Sequence, residues 1–362
     1  MLTRKKSYRC FSNKVVALLV LLLLIYCLPG CNKASNDIHN KKGGVPLAEG
    51  KPQVVLGDLG WDSIKVHNCI AAFIIEHGYD YPKPLYQSGV SFTLLQGLAK
   101  GDIDIFMEVW ADNYGATWTK MLDDGNVKEL GANYSAAIQG WYVPTYIIKG
   151  DVERGIEAVA PDLLSVTDLP LHWELFQDPE VPAKGRFYNS TTGWAVSKIN
   201  EVKIKNYGLD KYFNIFAATG KAAEEHLFSA YQKGEPWLGY CREPSWAISN
   251  LNMTRLQEPA FDKSKWEDED ALACAFPEST ILIAVNSELE TLAPELVDFL
   301  ENYETTLEHN SGILTYMMDY EGKMEASEAA AIYFLKGYPD VWQSWVPEDV
   351  AAKVEKALNE LE

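Results

Sequence analysis

Alternating strand and helix signals place this chain in the α/β class. An apolar run at Gln53–Gly57 passes through a short loop into an amphipathic stretch, Ile64–His77, closed by Gly78. A second amphipathic stretch, Ser91–Lys100, turns at Gly101 into the apolar run Asp104–Val109. The strand-like segments end in turns bearing large aromatic or charged groups, most densely in Pro236-Trp237-Leu238-Gly239-Tyr240-Cys241-Arg242-Glu243-Pro244-Ser245-Trp246. In open α/β sheets the crevice at the carboxyl ends of the strands is where ligands sit. The sequence contains no internal repeat or low-complexity block, and no interior linker marks a simple two-domain boundary.

The first thirty residues read as a targeting segment. Five basic residues (Arg4, Lys5, Lys6, Arg9, Lys14) and no acids precede or border the apolar run Val15–Leu28. That run is shorter than the ~20 residues a spanning helix needs. Leu28-Pro29-Gly30-Cys31 then resembles a bacterial lipobox, in which the cysteine is lipidated and becomes the first mature residue. An ordinary signal peptide or a short anchor helix is the alternative; each reading exports the folded part. Pro29 replaces the small residue usual at its position. Residues 32–51 are polar, with Gly43-Gly44 and Pro46, and form a flexible tether of roughly 25 Å root-mean-square reach.

The whole chain carries 32 basic and 51 acidic side chains, a formal net charge of −19, and losing the five leader basics leaves −24. So acidic a protein repels nucleic acid and anionic lipid headgroups, which leaves small molecules and proteins as partners. Of six cysteines, Cys10 and Cys27 leave with the leader and Cys31 carries lipid, so Cys69, Cys241 and Cys274 remain. That odd number allows one disulfide and one thiol, or three free thiols. The histidines are scattered, with no metal-site spacing and no expected cofactor.

Beyond the first strand, Asp62 or Ser63 is placed to cap the following helix, whose free N–H groups make a natural seat for a carboxylate. Capping alone also accounts for both residues. The strand Asp104–Val109 delivers Trp110-Ala111-Asp112-Asn113, and Trp141–Ile148 is β-rich and aromatic. After a loop-rich connection, Gly185–Trp194 is a second strand-to-turn segment delivering a tryptophan. Helices are expected around Lys198–Tyr207 and Ala222–Lys233, a strand at Thr280–Val285, and helices at Pro294–Asn302, from Ser327 and after Pro347.

Trp110, Trp194 and the Tyr240–Arg242 stretch share one property: each follows a strand and sits in a turn containing Asn, Gly or Pro. Aromatic faces around a cavity attract a quaternary ammonium through their ring quadrupoles, each contact contributing roughly 0.5–2 kcal/mol when desolvated. Taken singly, such a tryptophan is equally at home half-buried in a core.

At these residues the chain resembles the glycine-betaine/proline-betaine/choline substrate-binding proteins of ABC transporters. The resemblance runs from Val54 to the tail. It rests on Gly60-Trp61-Asp62-Ser63, Leu95-Gln96-Gly97-Leu98 with Gly101-Asp102-Ile103-Asp104, Glu108-Val109-Trp110-Ala111-Asp112-Asn113 and Gln139-Gly140-Trp141-Tyr142-Val143-Pro144. Gly185-Arg186-Phe187-Tyr188-Asn189, Gly193-Trp194 and Glu235-Pro236-Trp237-Leu238-Gly239-Tyr240 complete it.

The resemblance implies a two-lobed periplasmic-binding-protein fold, type II-like, with two hinge crossings near Tyr142–Lys149 and Ala275–Val285. Lobe one is then 53–142 with 280–362, and lobe two is 143–279. It implies a monomeric, lipid-anchored extracytoplasmic receptor that hands a betaine-class solute to ABC permease subunits, without catalysis. The ligand-contacting set is expected to be Trp110, Trp194, Arg242, Tyr240, Trp61, Asp62, Ser63, Asn113, Trp141 and Glu243, with lipid on Cys31.

Two departures from the family pattern stand out. Arg242 occupies the place of a third cage tryptophan, and Ser190 and Val196 replace a cysteine pair bracketing the Gly193-Trp194 turn. A guanidinium repels a trimethylammonium but can fork a carboxylate. Arg242 therefore either faces the cleft, paired with a ligand carboxylate or with Glu243, Asp112 or Asp62, or pairs with an acid and turns away. Selection of another zwitterionic or anionic solute through Arg242, or a sensory lipoprotein outside transport, are the competing functions. An exported hydrolase lacks its signals here: there is no Gly-x-Ser-x-Gly elbow and no histidine beside a nucleophile.

Overall fold

The computed structural model describes residues 50–217 and 222–361. The expected leader, the lipidated Cys31 and the tether up to residue 49 lie outside the described residues. Nine strands are β1 (Val55–Asp58), β2 (Leu85–Ser88), β3 (Ile105–Val109), β4 (Val127–Pro144), β5 (Gly185–Tyr188), β6 (Phe213–Phe216), β7 (Gly239–Glu243), β8 (Met253–Arg255) and β9 (Ser279–Asn286). The helices that matter to the site are α1 (Asp62–Phe73), α2 (Ser91–Lys100), α3 (Ala195–Asn206), α4 (Ala222–Lys233), α5 (Trp246–Asn250) and α6 (Leu307–Asp319).

The strands follow the path β2-β1-β3-β9-β4-β7-β5-β6, with β8 on β4. β1 pairs in parallel with β2 and β3, and β5 in parallel with β6 and β7, as crossovers through helices require. β4 joins the two groups. Its first part pairs antiparallel with β9 from Val127 to Ala137, and its last part with β7 from Ile138 to Tyr142. Ala136 sits at this handover in the left-handed region (φ 61), where the strand turns from one partner to the other.

Each group has its own core. Leu56, Ile70, Ile105, Ile283, Phe299 and Trp342 anchor the largest cluster on the β1–β3–β9 side. Trp141, Val143, Phe187, Leu238 and Phe276 anchor the cluster on the β5–β7 side. A third cluster, containing Trp61, Ile64, Phe106, Trp110 and Tyr134, lies under the cleft and reaches Ala195 of α3. The structure is thus mixed α/β with two lobes.

Several local expectations are corrected. Thr145–Lys149 is a helical turn, so the β-rich reading stops at Pro144. α1 is capped by neither Asp62 nor Ser63: Trp61 holds the N-cap position without a side-chain cap bond. The helix expected at Lys198–Tyr207 starts earlier, at Ala195, directly after Trp194. Cys69, Cys241 and Cys274 are all free thiols. α2, α4 and the helix Pro294–Asn302 have the bounds their periodicity and terminal signals predict, with Gly101 (φ 77) closing α2.

Candidate functional site

Five aromatic side chains and a guanidinium converge where the two lobes meet. Trp61 comes from the start of α1 and Trp110 from the end of β3, while Trp194 precedes α3 and Tyr240 and Arg242 lie on β7. Together with Ser91, Asn113, Tyr114, Ala195 and Val196 they line a cleft of about 290 Å³, a figure that includes open space. A second cavity of about 470 Å³, which includes open space, shares Trp194, Tyr240 and Arg242 with it and continues into the β5–β7 lobe past Trp237.

The side chain of Arg242 lies against two of these rings. Its guanidinium lies 5.4 Å from the Trp61 ring and 5.3 Å from the Trp194 ring, and the two rings meet edge to face at 5.2 Å. Arg242 is 8 % exposed, its Nε has no hydrogen-bond partner, and no carboxylate among the described residues forms an ion pair with it. The acids expected beside it are engaged elsewhere or held apart. Glu243 accepts the Tyr142 hydroxyl at 3.2 Å, and neither Asp112 nor Asp62 lines the cavity.

The acid that does act on Arg242 is Glu108, two residues before Trp110. Its Oε2 accepts Trp61 Nε1 at 2.5 Å and Ser63 Oγ at 3.1 Å, and its side chain is fully buried. Burial pushes the Glu108 carboxyl up to about 7, against the opposing pull of the Arg242 charge and of the Trp61 and Ser63 donors. His67 Nε2 stands 3.6 Å from Oε1 but is neutral at neutral pH, because burial lowers its pKa to about 4. The strand pattern marked Glu108 as one position of an apolar run; its neighbours in space, and so its role, were invisible.

The other expected residues divide clearly. Asn113 and Tyr240 line the cavity and are held by Gln139, whose Oε1 accepts Asn113 Nδ2 at 3.0 Å and Tyr240 Oη at 2.8 Å. Trp141 lies in the hydrophobic core, fully buried, donating Nε1 to Asn200 Oδ1 at 2.8 Å. Ser63 sits beneath the cleft floor on Glu108, and Glu243 points to Tyr142 on β4. None of these three lines the cavity.

Contacts across the cleft hold it closed. The Trp194 indole donates to the Leu59 carbonyl at 2.9 Å, Ser91 N donates to the Gly193 carbonyl at 3.1 Å, and Ala195 N donates to Ser91 Oγ at 3.2 Å. Farther out, Asn250 Nδ2 of α5 donates to Thr315 Oγ1 of α6 at 3.1 Å. Among the described residues there is no group of three or more His, Cys, Asp or Glu side chains able to hold a metal ion, and no helix long and apolar enough to cross a membrane.

Residues 52–337 match the family described as the substrate binding domain of ABC-type glycine betaine transport systems. A trimethylamine N-oxide-binding protein of Pelagibacter ubique is 22% identical over 297 residues, covering 82% of this chain and 91% of its own length. Among solved structures, the glycine betaine/L-proline-binding protein of Borrelia burgdorferi superposes with a TM-score of 0.66 at 19% identity, over 84% of this chain and 100% of that one. The lactococcal protein in its closed-liganded conformation with glycine betaine gives 0.63 at 17% identity, over 82% and 100%. At these identities the structures show the shared fold, the two-lobed periplasmic-binding-protein architecture.

Proposed function

This chain belongs to the family of substrate binding domains of ABC-type glycine betaine transport systems, and on that premise we propose that it receives a small zwitterion joining a methylated ammonium to an oxyanion. Family members are extracytoplasmic receptors rather than enzymes, working with ABC permeases. Glycine betaine and trimethylamine N-oxide both fit the proposed class.

The observation that carries the reading is the guanidinium of Arg242 at the cleft, with no carboxylate paired to it among the described residues. A cation already held against Trp61 and Trp194 repels a second cation there and attracts an oxyanion. The ammonium of the ligand is then left to the remaining rings of the same cavity, Trp110, Tyr114 and Tyr240. Asn113, oriented by Gln139, supplies a polar wall.

Lobe one comprises residues 53–142 with 280–362 and lobe two residues 143–279, a division supported by the change of β4's partner from β9 to β7 near its end. The receptor acts as a monomer tethered through lipid on Cys31; Cys31→Ala should release it from membranes, and unchanged retention would remove the anchor from the account.

Isothermal titration with glycine betaine, trimethylamine N-oxide, choline, proline and taurine tests the ligand class. A betaine or amine oxide should bind at least about tenfold more tightly than choline, which lacks the oxyanion. Choline binding as tightly as the zwitterions would overturn the assignment of Arg242.

A further inference from the structure

A buried carboxylate lies beneath the only charged group that lines the candidate cavity among the described residues, and ligand recognition as described above makes no use of it. We propose that Glu108 is a specificity-determining positioning residue: acting through Arg242 and Trp61, it decides whether the cleft presents a balanced charge pair or a bare guanidinium, and hence whether it takes a zwitterionic or an anionic solute. This rests on the reading of the cleft as the solute site.

The geometry supplies two routes of action. Glu108 holds the indole N–H of Trp61 at 2.5 Å, and the Trp61 ring is one of the two faces on which Arg242 stacks. Glu108 also lies on β3 of one lobe while Arg242 lies on β7 of the other, so their attraction spans the cleft. The charge that acts on Glu108 most strongly is that of Arg242.

The groups around the carboxylate leave that pair to set the charge balance. From α1 it meets Trp61, Ser63 and His67, with Asp62 on the same turn; from β4 it meets Tyr134, and Tyr303 also feels its charge. His67 is neutral above about pH 4, and burial keeps the phenols of Tyr134 and Tyr303 protonated well beyond their ordinary range. With Glu108 ionised, the pair is neutral and a zwitterion adds no net charge to the closed cleft. With Glu108 protonated, the guanidinium is unbalanced, and a monoanion of the same shape is preferred. Glu108 crosses between these states near pH 7.

The first measurement needs no ligand. The Trp61 indole N–H resonance, identified with W61F, is followed against pH in wild-type, Glu108→Gln and Arg242→Met proteins. A midpoint near 7 is expected in the wild type, none in Glu108→Gln, and one about a unit or more higher in Arg242→Met, where the opposing charge is gone. The second compares glycine betaine with 3,3-dimethylbutyrate, its uncharged-carbon isostere, by calorimetry at about pH 5.5 and about pH 8.5. The preference should move about tenfold toward the monoanion at the lower pH, and Glu108→Gln should hold the low-pH preference at both. A midpoint unmoved by Arg242→Met, or a wild-type preference that ignores pH, overturns the proposal. If neither solute binds at either pH, the reading of the cleft falls instead, and the coupling of Glu108 to Arg242 is decided by the midpoint alone.

Discussion

Trp61 and Trp194 show how one ring serves two ends. The indole N–H of Trp61 is tied to Glu108 while its face supports Arg242, and the indole N–H of Trp194 is tied to Leu59 across the cleft while its face supports the same guanidinium. Trp194 is the cleaner residue to test, since it is half-buried, whereas Trp110 is 4 % exposed within the core cluster under the cleft. Trp194→Phe keeps an aromatic face and deletes the hydrogen bond to Leu59. Affinity measured by calorimetry should fall by about 0.5–1.5 kcal/mol, or roughly two- to twelvefold, with the ligand-free melting temperature nearly unchanged. Trp110→Ala, by contrast, should lower both affinity and apo stability, the latter by about 3–5 kcal/mol as for a buried aromatic truncation. Intact stability in that variant would show that the ring is not part of the core.

At the scale of elements, the turn before α3 is held without a disulfide. Asn189 does the work: its Oδ1 accepts Ser190 N at 2.8 Å and Asn200 Nδ2 at 2.9 Å, and its Nδ2 donates to Ser197 at 3.1 Å. Gly193 within this turn has φ 94, and a Cβ there would lie 2.4 Å from Val90 of the opposite lobe. Gly193→Ala should therefore oppose closure more than folding, because separating the lobes relieves the clash. The expected result is a clear loss of ligand affinity with a stability loss near the ~1 kcal/mol that a non-glycine residue at positive φ costs. Equal affinity in the variant would mean that closure does not bring Gly193 against Val90. Elsewhere in α3, Lys203 is buried against the Phe276 ring at 3.7 Å and paired with Glu258 at 2.7 Å. Glu258→Gln strands that buried ammonium and should cost about 3–5 kcal/mol in urea unfolding, of which Lys203→Met in the same chain should recover most.

For the whole molecule, the closed cleft links proton binding to stability. The folded protein holds the Glu108 proton up to about pH 7, while an unfolded chain releases it near the ordinary 4.5. Between those values the folded state binds more protons, so stability falls as pH rises and levels off above about 7. The shift corresponds to about 3 kcal/mol. The difference in unfolding free energy between wild type and Glu108→Gln should change by that order from pH 4.5 to 7, and a difference that is flat with pH would place Glu108 outside this linkage. The formal charge of −19 sets a general repulsion on top of this, which is why the difference, and not either curve, carries the test.

Local pattern determined most of the elements of this protein. Strand periods, Gly101 after Lys100, and Pro294 at a helix start all act within a few residues of chain, so the linear sequence contains their causes. It also marked Trp110 and Trp194, because a large ring in a strand-end turn has no local structural use, and it marked Tyr240 and Arg242, which lie within β7 and not in the turn expected there. Only the tertiary structure decided where those groups go. Trp141 looked like another cleft ring and is core, since β4 pairs on both sides at that point and turns the indole inward to Asn200. Ser63 looked like a helix cap and instead binds Glu108. The partner of Arg242 was sought among neighbours in sequence, Glu243 above all, and alternation along β7 carries that residue to the opposite face. Glu108, separated by 134 positions along the chain, feels the charge of Arg242 because β3 and β7 are brought to one cleft by β4 and β9. Charge pairing acts through space, and no period in the chain records it.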